Sequence, residues 1–252
     1  MAPIAWSLRE VGKTESTQRV ADELARRGAA EGVVVLAEEQ AVGRGRYERR
    51  WLSPPGGIYM SLVLRPQRPA ALQLLPMLGS LAIIDGIRRE TGAETLMRWP
   101  NDVILRGKKV AGVIAEASYR GGTLSHVVLG MGINCNFRAE VLGDLAGSST
   151  TLMDHLGAAV DAPRLRDAVL SSFGSLYLGW SEGRAATQIA ERKGWISTVG
   201  KRVEVRRSDG SVVVCRATGV EEDGSLVVEL DGGEVVLRAE DIERLRELPE
   251  PC

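Results

Sequence analysis

The chain is short of the residues that usually build metal and redox sites. Its 252 residues hold two histidines, His126 and His155, too few for a histidine-rich zinc centre. Three cysteines, Cys135, Cys215 and Cys252, form no CxxC pair, and their odd number does not suit a disulfide framework. No apolar run approaches the length of a membrane span, and MAPIAWSLREVGKTES lacks the apolar core of a secretory signal. The formal net charge of -1 offers no basic excess for a polyanion such as nucleic acid. No GxxxxGK[ST] loop is present, which excludes a Walker-type phosphate cradle. These absences lead to the expectation of a reduced, soluble, cytoplasmic protein with no membrane span and no DNA partner.

The composition is that of an ordinary globular protein, 44% hydrophobic and 26% charged. Ser16 or Thr17 can cap a helix over residues 16–28, which Gly28 ends. Gly32–Glu38 reads as a strand buried on both faces, and Ile58–Leu64 as an alternating one. A long helix is expected over residues 69–91, bent or restarted at Pro76. Short strands follow at Leu96–Trp99, Val103–Leu105, Val110–Ser118 and Leu124–Ile133, with Gly107-Lys108 and Gly121-Gly122 as turns. Helical periodicity returns over Asp161–Gly183 and Ala185–Lys193. Beyond that, Lys201–Arg207, Val212–Gly219, Leu226–Leu230 and Glu234–Arg238 read as strands of a small barrel or sandwich. The final EDIERLREL reads as a solvated face. The fold class is therefore α+β, a mixed sheet flanked by helices, with domains expected at 1–196 and 197–252.

Four segments carry chemistry. Gly43-Arg44-Gly45-Arg46, continuing through Arg49 to Trp51, combines close backbone approach with guanidinium forks for carboxylate or phosphate; alone, it could equally be a solvated basic turn. Arg98-Trp99-Pro100-Asn101-Asp102 places a carboxylate after a strand, where it could hold Mg²⁺ or simply belong to a turn. In Lys108–Glu116 a lysine heads an apolar strand whose Gly112 would let a flat ligand lie on the backbone; the alternative is a surface hairpin. Gly130–Asn136 is either a bulged strand or one that offers Asn134 to a ligand.

Together, and in this order, the segments resemble the catalytic domain of biotin–protein ligases: a GRGR-x-x-R-x-W loop, a WPND segment, a K-V-A-G strand and a G-x-G-I-N strand. The resemblance extends over nearly the whole chain. It implies a class II synthetase-like catalytic domain and a small SH3-like C-terminal β-barrel. It implies ATP-dependent activation of biotin to biotinyl-5′-AMP, then transfer to a lysine of a biotin carboxyl carrier protein, with biotin, ATP and Mg²⁺ taking part and a homodimer among the family's assemblies. Lys109, Arg46 and Arg44 would be catalytic. Ser16, Thr17, Gln18, Gln40, Gly43, Gly45 and Gly112 would join them around biotin. Arg49, Trp51, Asn101 and Asn134 would join Arg46 and Lys109 at the nucleotide, and Asp102 and Asn134 would hold the metal. Arg98 replaces the usual lysine, Gln18 the usual asparagine, and Tyr47 and Glu48 fill variable loop positions. About fifteen residues precede the first helix, too few for a helix-turn-helix module.

Cations answer a physical need in such a reaction. At about 4 Å two like unit charges repel by ~4 kcal/mol at an effective dielectric of 20, worth about a thousandfold in rate. Cationic side chains around a carboxylate and a phosphate offset that term.

Overall fold

The computed structural model describes residues 4–67, 71–230 and 232–249. Pro69, Ala70 and Cys252 lie outside the described residues, as does the side chain of Glu48. The chain runs β1 (Ser7–Glu10), β2 (Lys13–Thr14), α1 (Thr17–Arg26), β3 (Val33–Ala37), β4 (Glu39–Arg44), β5 (Arg50–Ser53) and β6 (Ile58–Leu64). Then come α2 (Leu75–Thr91), β7 (Thr95–Arg98), β8 (Asp102–Leu105), β9 (Lys108–Arg120) and β10 (Thr123–Ile133). Three helices follow, α3 (Leu152–Leu156), α4 (Ala162–Ser181) and α5 (Ala185–Glu191). The last strands are β11 (Arg202–Arg207), β12 (Val212–Val220), β13 (Leu226–Leu230), β14 (Gly233–Leu237) and β15 (Ile242–Glu247).

Seven strands form the main sheet in the order β1-β3-β6-β10-β9-β8-β7. Only β1 and β3 pair in parallel, so the sheet is mixed and mainly antiparallel, as the hairpin signals predict. One face carries Val35, Val63 and Val128 under Ala21 and Ala25 of α1. The other carries Val34, Leu62, Leu129 and Met131 in the large cluster that includes residues of α2 and α4. With apolar clusters on both faces, every residue of β6 is buried, and the alternation expected of Ile58–Leu64 does not occur.

Two local expectations need correction, and a third is resolved between its alternatives. Ser16 stands at the N-cap of α1 in extended conformation, but neither it nor Thr17 makes a side-chain cap. Their hydroxyls face the sheet and the cavity described below. Of the two outcomes expected at Pro76, the restart is the one that occurs: a 3₁₀ turn, Leu72–Leu74, gives way to α2 at Leu75, and Pro76 lies in its first turn, where a missing N–H leaves no bond unmade. The turn between β8 and β9 uses Arg106 and Gly107, both at positive φ, one residue earlier than predicted.

The C-terminal part is a five-stranded antiparallel sheet, β14-β13-β12-β11-β15. Among the described residues no ladder joins β14 to β15, so the barrel is not closed by hydrogen bonds. Its edge strand β15 corrects the reading of EDIERLREL as a solvated face: Ile242 is buried and the segment pairs with β11. Charges on both of its faces hide the period of two. The two parts share one hydrophobic cluster. Trp99, 1% exposed, donates from Nε1 to the Gly224 carbonyl at 2.9 Å and from its backbone to Thr198 Oγ1 at 3.0 Å.

Candidate active site

Register builds the floor first. Gly112 faces Gly132 across β9 and β10, and Gly130 faces Ile114, so three glycines lie on one face of the sheet. A Cβ on Gly132 would stand 2.6 Å from Trp51 Nε1, and one on Gly130 would stand 2.6 Å from Gln18 Oε1. Gly112 lies under the same indole, which reaches to 3.3 Å of its missing Cβ. The floor therefore lets Trp51 and Gln18 rest almost on backbone.

At one end of the floor the start of α1 and the strand β4 are tied by a polar network. Gln40 Oε1 accepts from the Thr17 amide at 2.8 Å and the Thr17 hydroxyl at 3.0 Å, while Gln40 Nε2 donates to Ser53 Oγ at 2.8 Å. Gln18 Nε2 donates to the Val128 carbonyl at 2.9 Å, and its Oε1 accepts from Ser61 Oγ at 3.0 Å. Ser61 also stands 2.8 Å from the Thr17 hydroxyl. It escaped the sequence reading, although a lone serine in the apolar run IYMSLVL was the available signal. Ser16 Oγ and Trp51 Nε1 are buried and without a partner, although both residues line the cavity. Native structures rarely leave such atoms unpaired unless something else satisfies them.

Lys109 crosses the middle of the floor. Its Nζ lies 2.5 Å from Asp102 Oδ1 and 5.1 Å from the centre of the Trp51 ring. Arg98 holds the other oxygen, Nη2 to Oδ2 at 2.9 Å, because the β7–β8 register sets Arg98 opposite Asp102. Burial alone would raise the Asp102 pKa. The ammonium and guanidinium outweigh it and hold the carboxyl below the usual range. Asn101 is anchored by Nδ2 to the Val113 carbonyl at 2.5 Å.

The glycine–arginine loop forms the opposite wall. Gly43 pairs with Trp51 so closely that a Cβ would stand 2.4 Å from the Trp51 carbonyl oxygen. Gly45 donates to the Arg49 carbonyl at 2.7 Å and closes the turn. Arg44 pairs with Glu116 at 3.3 Å. Arg46 donates to Asn101 Oδ1 at 3.5 Å, to the Ile242 carbonyl at 3.2 Å and to the Ala239 carbonyl. Arg49 donates to the Glu243 carbonyl at 3.1 Å. All three arginines line the cavity, but their guanidinium groups are engaged with protein acceptors rather than converging on Lys109.

The expected metal pair is not assembled. Both Asp102 oxygens are taken by cations. Asn134 is buried and does not line the cavity beside Asp102; it donates from Nδ2 to the carbonyl of Thr150, whose amide donates to the Lys109 carbonyl, and among the described residues its Oδ1 is left without a partner. Among the described residues no group of three His, Cys, Asp or Glu could hold a metal. The chain's own residues do not fit a resident Mg²⁺.

These walls enclose a cavity of about 780 Å³. Nine basic side chains line it against Asp102 and Glu243, so a chain of net charge -1 hides a strongly cationic interior. The overall charge therefore says nothing of how the basic groups are distributed. Arg206, Arg244 and Arg246 of β11 and β15 belong to this lining and went unread in the sequence.

Residues 11–134 match the Biotin/lipoate A/B protein ligase family, and residues 198–243 match the biotin protein ligase C terminal domain. The chain is 32% identical over 245 residues to a biotin--[acetyl-CoA-carboxylase] ligase of Mycobacterium tuberculosis, covering 94% of this chain and 88% of that protein. It is 32% identical to the bifunctional ligase/repressor BirA of Bacillus subtilis, covering 90% and 71%. The biotin protein ligase of Aquifex aeolicus, solved in complex with biotin and ATP, superposes with a TM-score of 0.86 at 26% identity, over 96% of this chain and 99% of that one. No helix among the described residues is long and apolar enough to cross a membrane. By fold, cavity and sequence, the chain belongs to the biotin/lipoate A/B protein ligase family and, within it, to the biotin protein ligases.

Proposed function

We propose that this chain joins biotin to ATP, giving biotinyl-5′-AMP and pyrophosphate, and then passes the biotinyl group to a lysine of a biotin carboxyl carrier domain. In the first step a carboxylate oxygen bonds to the α-phosphorus as the bond to the β-phosphate breaks. In the second, the lysine nitrogen bonds to the acyl carbon, AMP leaves and the amine gives up a proton.

One observation carries the reading: the Lys109 ammonium, fixed by Asp102 and backed by Trp51, lies over a glycine floor inside a cationic cavity. A cation held in place stabilises charge building on the α-phosphate without reorganising during the step. Ser16, Thr17, Gln18 and Gln40 surround the ureido end of biotin, and Ser16 Oγ is the unspent polar atom there. Gly43, Gly45 and Gly112 let the backbone approach, and Trp51 covers the chain that leads to the carboxylate. Arg44, Arg46, Arg49 and Asn101 serve the adenylate and the phosphates. Mg²⁺ enters with the ATP phosphates, as is general for ATP-using ligases, and no step is assigned to it. The cytoplasm as the place of action and a homodimer as the assembly belong to the same proposal; sedimentation of the purified chain tests the dimer.

Biotin-dependent exchange of label between pyrophosphate and ATP tests the central claim, because it needs no acceptor. Exchange with biotin and none with lipoate is expected. Exchange driven by lipoate alone would move the chain to the lipoate side of the family.

A further inference from the structure

The arginine-bearing loop does more than wall the cavity. Three of its side chains reach backbone carbonyls within one five-residue stretch of the C-terminal part. Arg46 donates to the carbonyls of Ala239 and Ile242, Tyr47 from its hydroxyl to that of Glu240 at 2.8 Å, and Arg49 to that of Glu243 at 3.1 Å. The acceptors lie on a one-turn 3₁₀ segment, Ala239–Asp241, and on the start of the edge strand β15. Carbonyls at such a turn and on a sheet edge are left unspent by the regular ladder.

Tyr47 stands at the centre of this contact. Its backbone is left-handed, at φ 53 and ψ 45, a conformation that a bulky residue keeps only when its surroundings hold it. Its ring centre lies 5.1 Å from the Arg46 guanidinium carbon, and Arg46 Nη2 donates to its hydroxyl at 3.4 Å. The tyrosine thus supports Arg46 on one side and grips the C-terminal part on the other. It fills a loop position that the family motif leaves open.

The docked loop lines the cavity rather than filling it. Arg44 to Arg46 and Glu243 to Arg246 face the same space of about 780 Å³, room for a ligand of the size that organic pockets commonly take. Loop and cavity contents can therefore be held together.

We propose that Tyr47 is a positioning residue that latches the loop to residues 239–243, keeping Arg46 at the cavity wall and slowing escape of the acyl-adenylate. The second half rests on the ligase reading above; the first does not.

The test uses the full chain with Tyr47→Phe, which keeps the ring and removes the hydroxyl, and Tyr47→Ala, which removes both. Trypsin, applied with no ligand, reads the open population of the loop through cleavage after Arg46, Arg49 or Arg50. Cleavage should quicken about fivefold in Tyr47→Phe, which is ~1 kcal/mol at 1.36 kcal/mol per tenfold, and at least as much in Tyr47→Ala. Dissociation of labelled biotinyl-5′-AMP should quicken by a similar factor. Wild-type cleavage rates in both variants would overturn the latch. Faster cleavage in Tyr47→Ala with none in Tyr47→Phe would overturn the hydroxyl's part in it. An inactive wild-type protein would reject the ligase reading, and the trypsin comparison would still decide the latch.

Discussion

Lys109 and Asp102 form a pair in which each residue's role depends on the other. With Asp102 Oδ2 held by Arg98, Lys109→Ala leaves the carboxylate one of its two cations. The variant should lose biotin-dependent pyrophosphate exchange while its stability falls by about 1.5–3 kcal/mol, the range of a single hydrogen bond to a charged group. Denaturant unfolding beside the exchange assay checks both halves; full exchange in the variant would remove Lys109 from the reaction. The same pair sets an acid limit. A carboxyl held below its ordinary pKa contributes stability in full above that ordinary value and loses it as pH falls through the lowered one. Asp102, Asp22 and Asp154 are all shifted this way by cationic or hydrogen-bonding neighbours. The melting temperature should therefore stay level from about pH 7 to 5 and fall below about pH 4, with a shallower fall in Asp102→Asn than in wild type. The motif spacing brought Lys109, Asn101 and Asp102 into view, because chemistry is legible where residue types cluster. That Asp102 meets two cations rather than a metal was not, since Arg98 becomes its partner only through the β7–β8 register.

Elements whose neighbours bury them were the readable ones. β6, β9 and β10 stand close to their predicted bounds because their apolar runs follow the sheet. β4 and β5 were missed, since glycines and arginines interrupt the period of two and most of β4 is not buried. The same feature makes the β9–β10 floor a sensitive place for substitution. In Gly132→Ala the added Cβ meets the Trp51 ring at 2.6 Å from Nε1 and 2.7 Å from Cε2, so the indole has to lift. Overpacking of this kind costs roughly 1–3 kcal/mol. If the displacement is taken up in the cavity, the KM for biotin should rise by tenfold or more while tryptophan fluorescence reports a moved ring. An unchanged KM and an unchanged spectrum would show that the floor has slack the distances deny.

At the scale of the whole molecule, what was illegible is what the two ends of the chain make together. Net charge averages over the surface and could not reveal that basic groups gather in one cavity, three of them from β11 and β15. The boundary we place at residue 196 marks a change of architecture but no break in the core. Met97 bridges to Ile196, Ser197 donates to the Met97 carbonyl at 2.8 Å, and one cluster of buried residues runs from α2 through Trp99 to Val203, Val205 and Leu226. Elements that share a core lose most of their burial if either leaves, so the full chain should unfold in one calorimetric transition. Trp99 is the severest test of that coupling, for it is enclosed almost completely and hydrogen-bonds to Thr198 and Gly224 across the boundary. Trp99→Ala should cost about 3–5 kcal/mol, the usual loss for deleting a buried aromatic, and should lower the single transition as a whole. A separate early transition for residues 197–252 in the wild-type chain would mean that the cavity wall built by β11 and β15 is only loosely attached. The cationic lining would then be assembled by the substrates rather than by the fold.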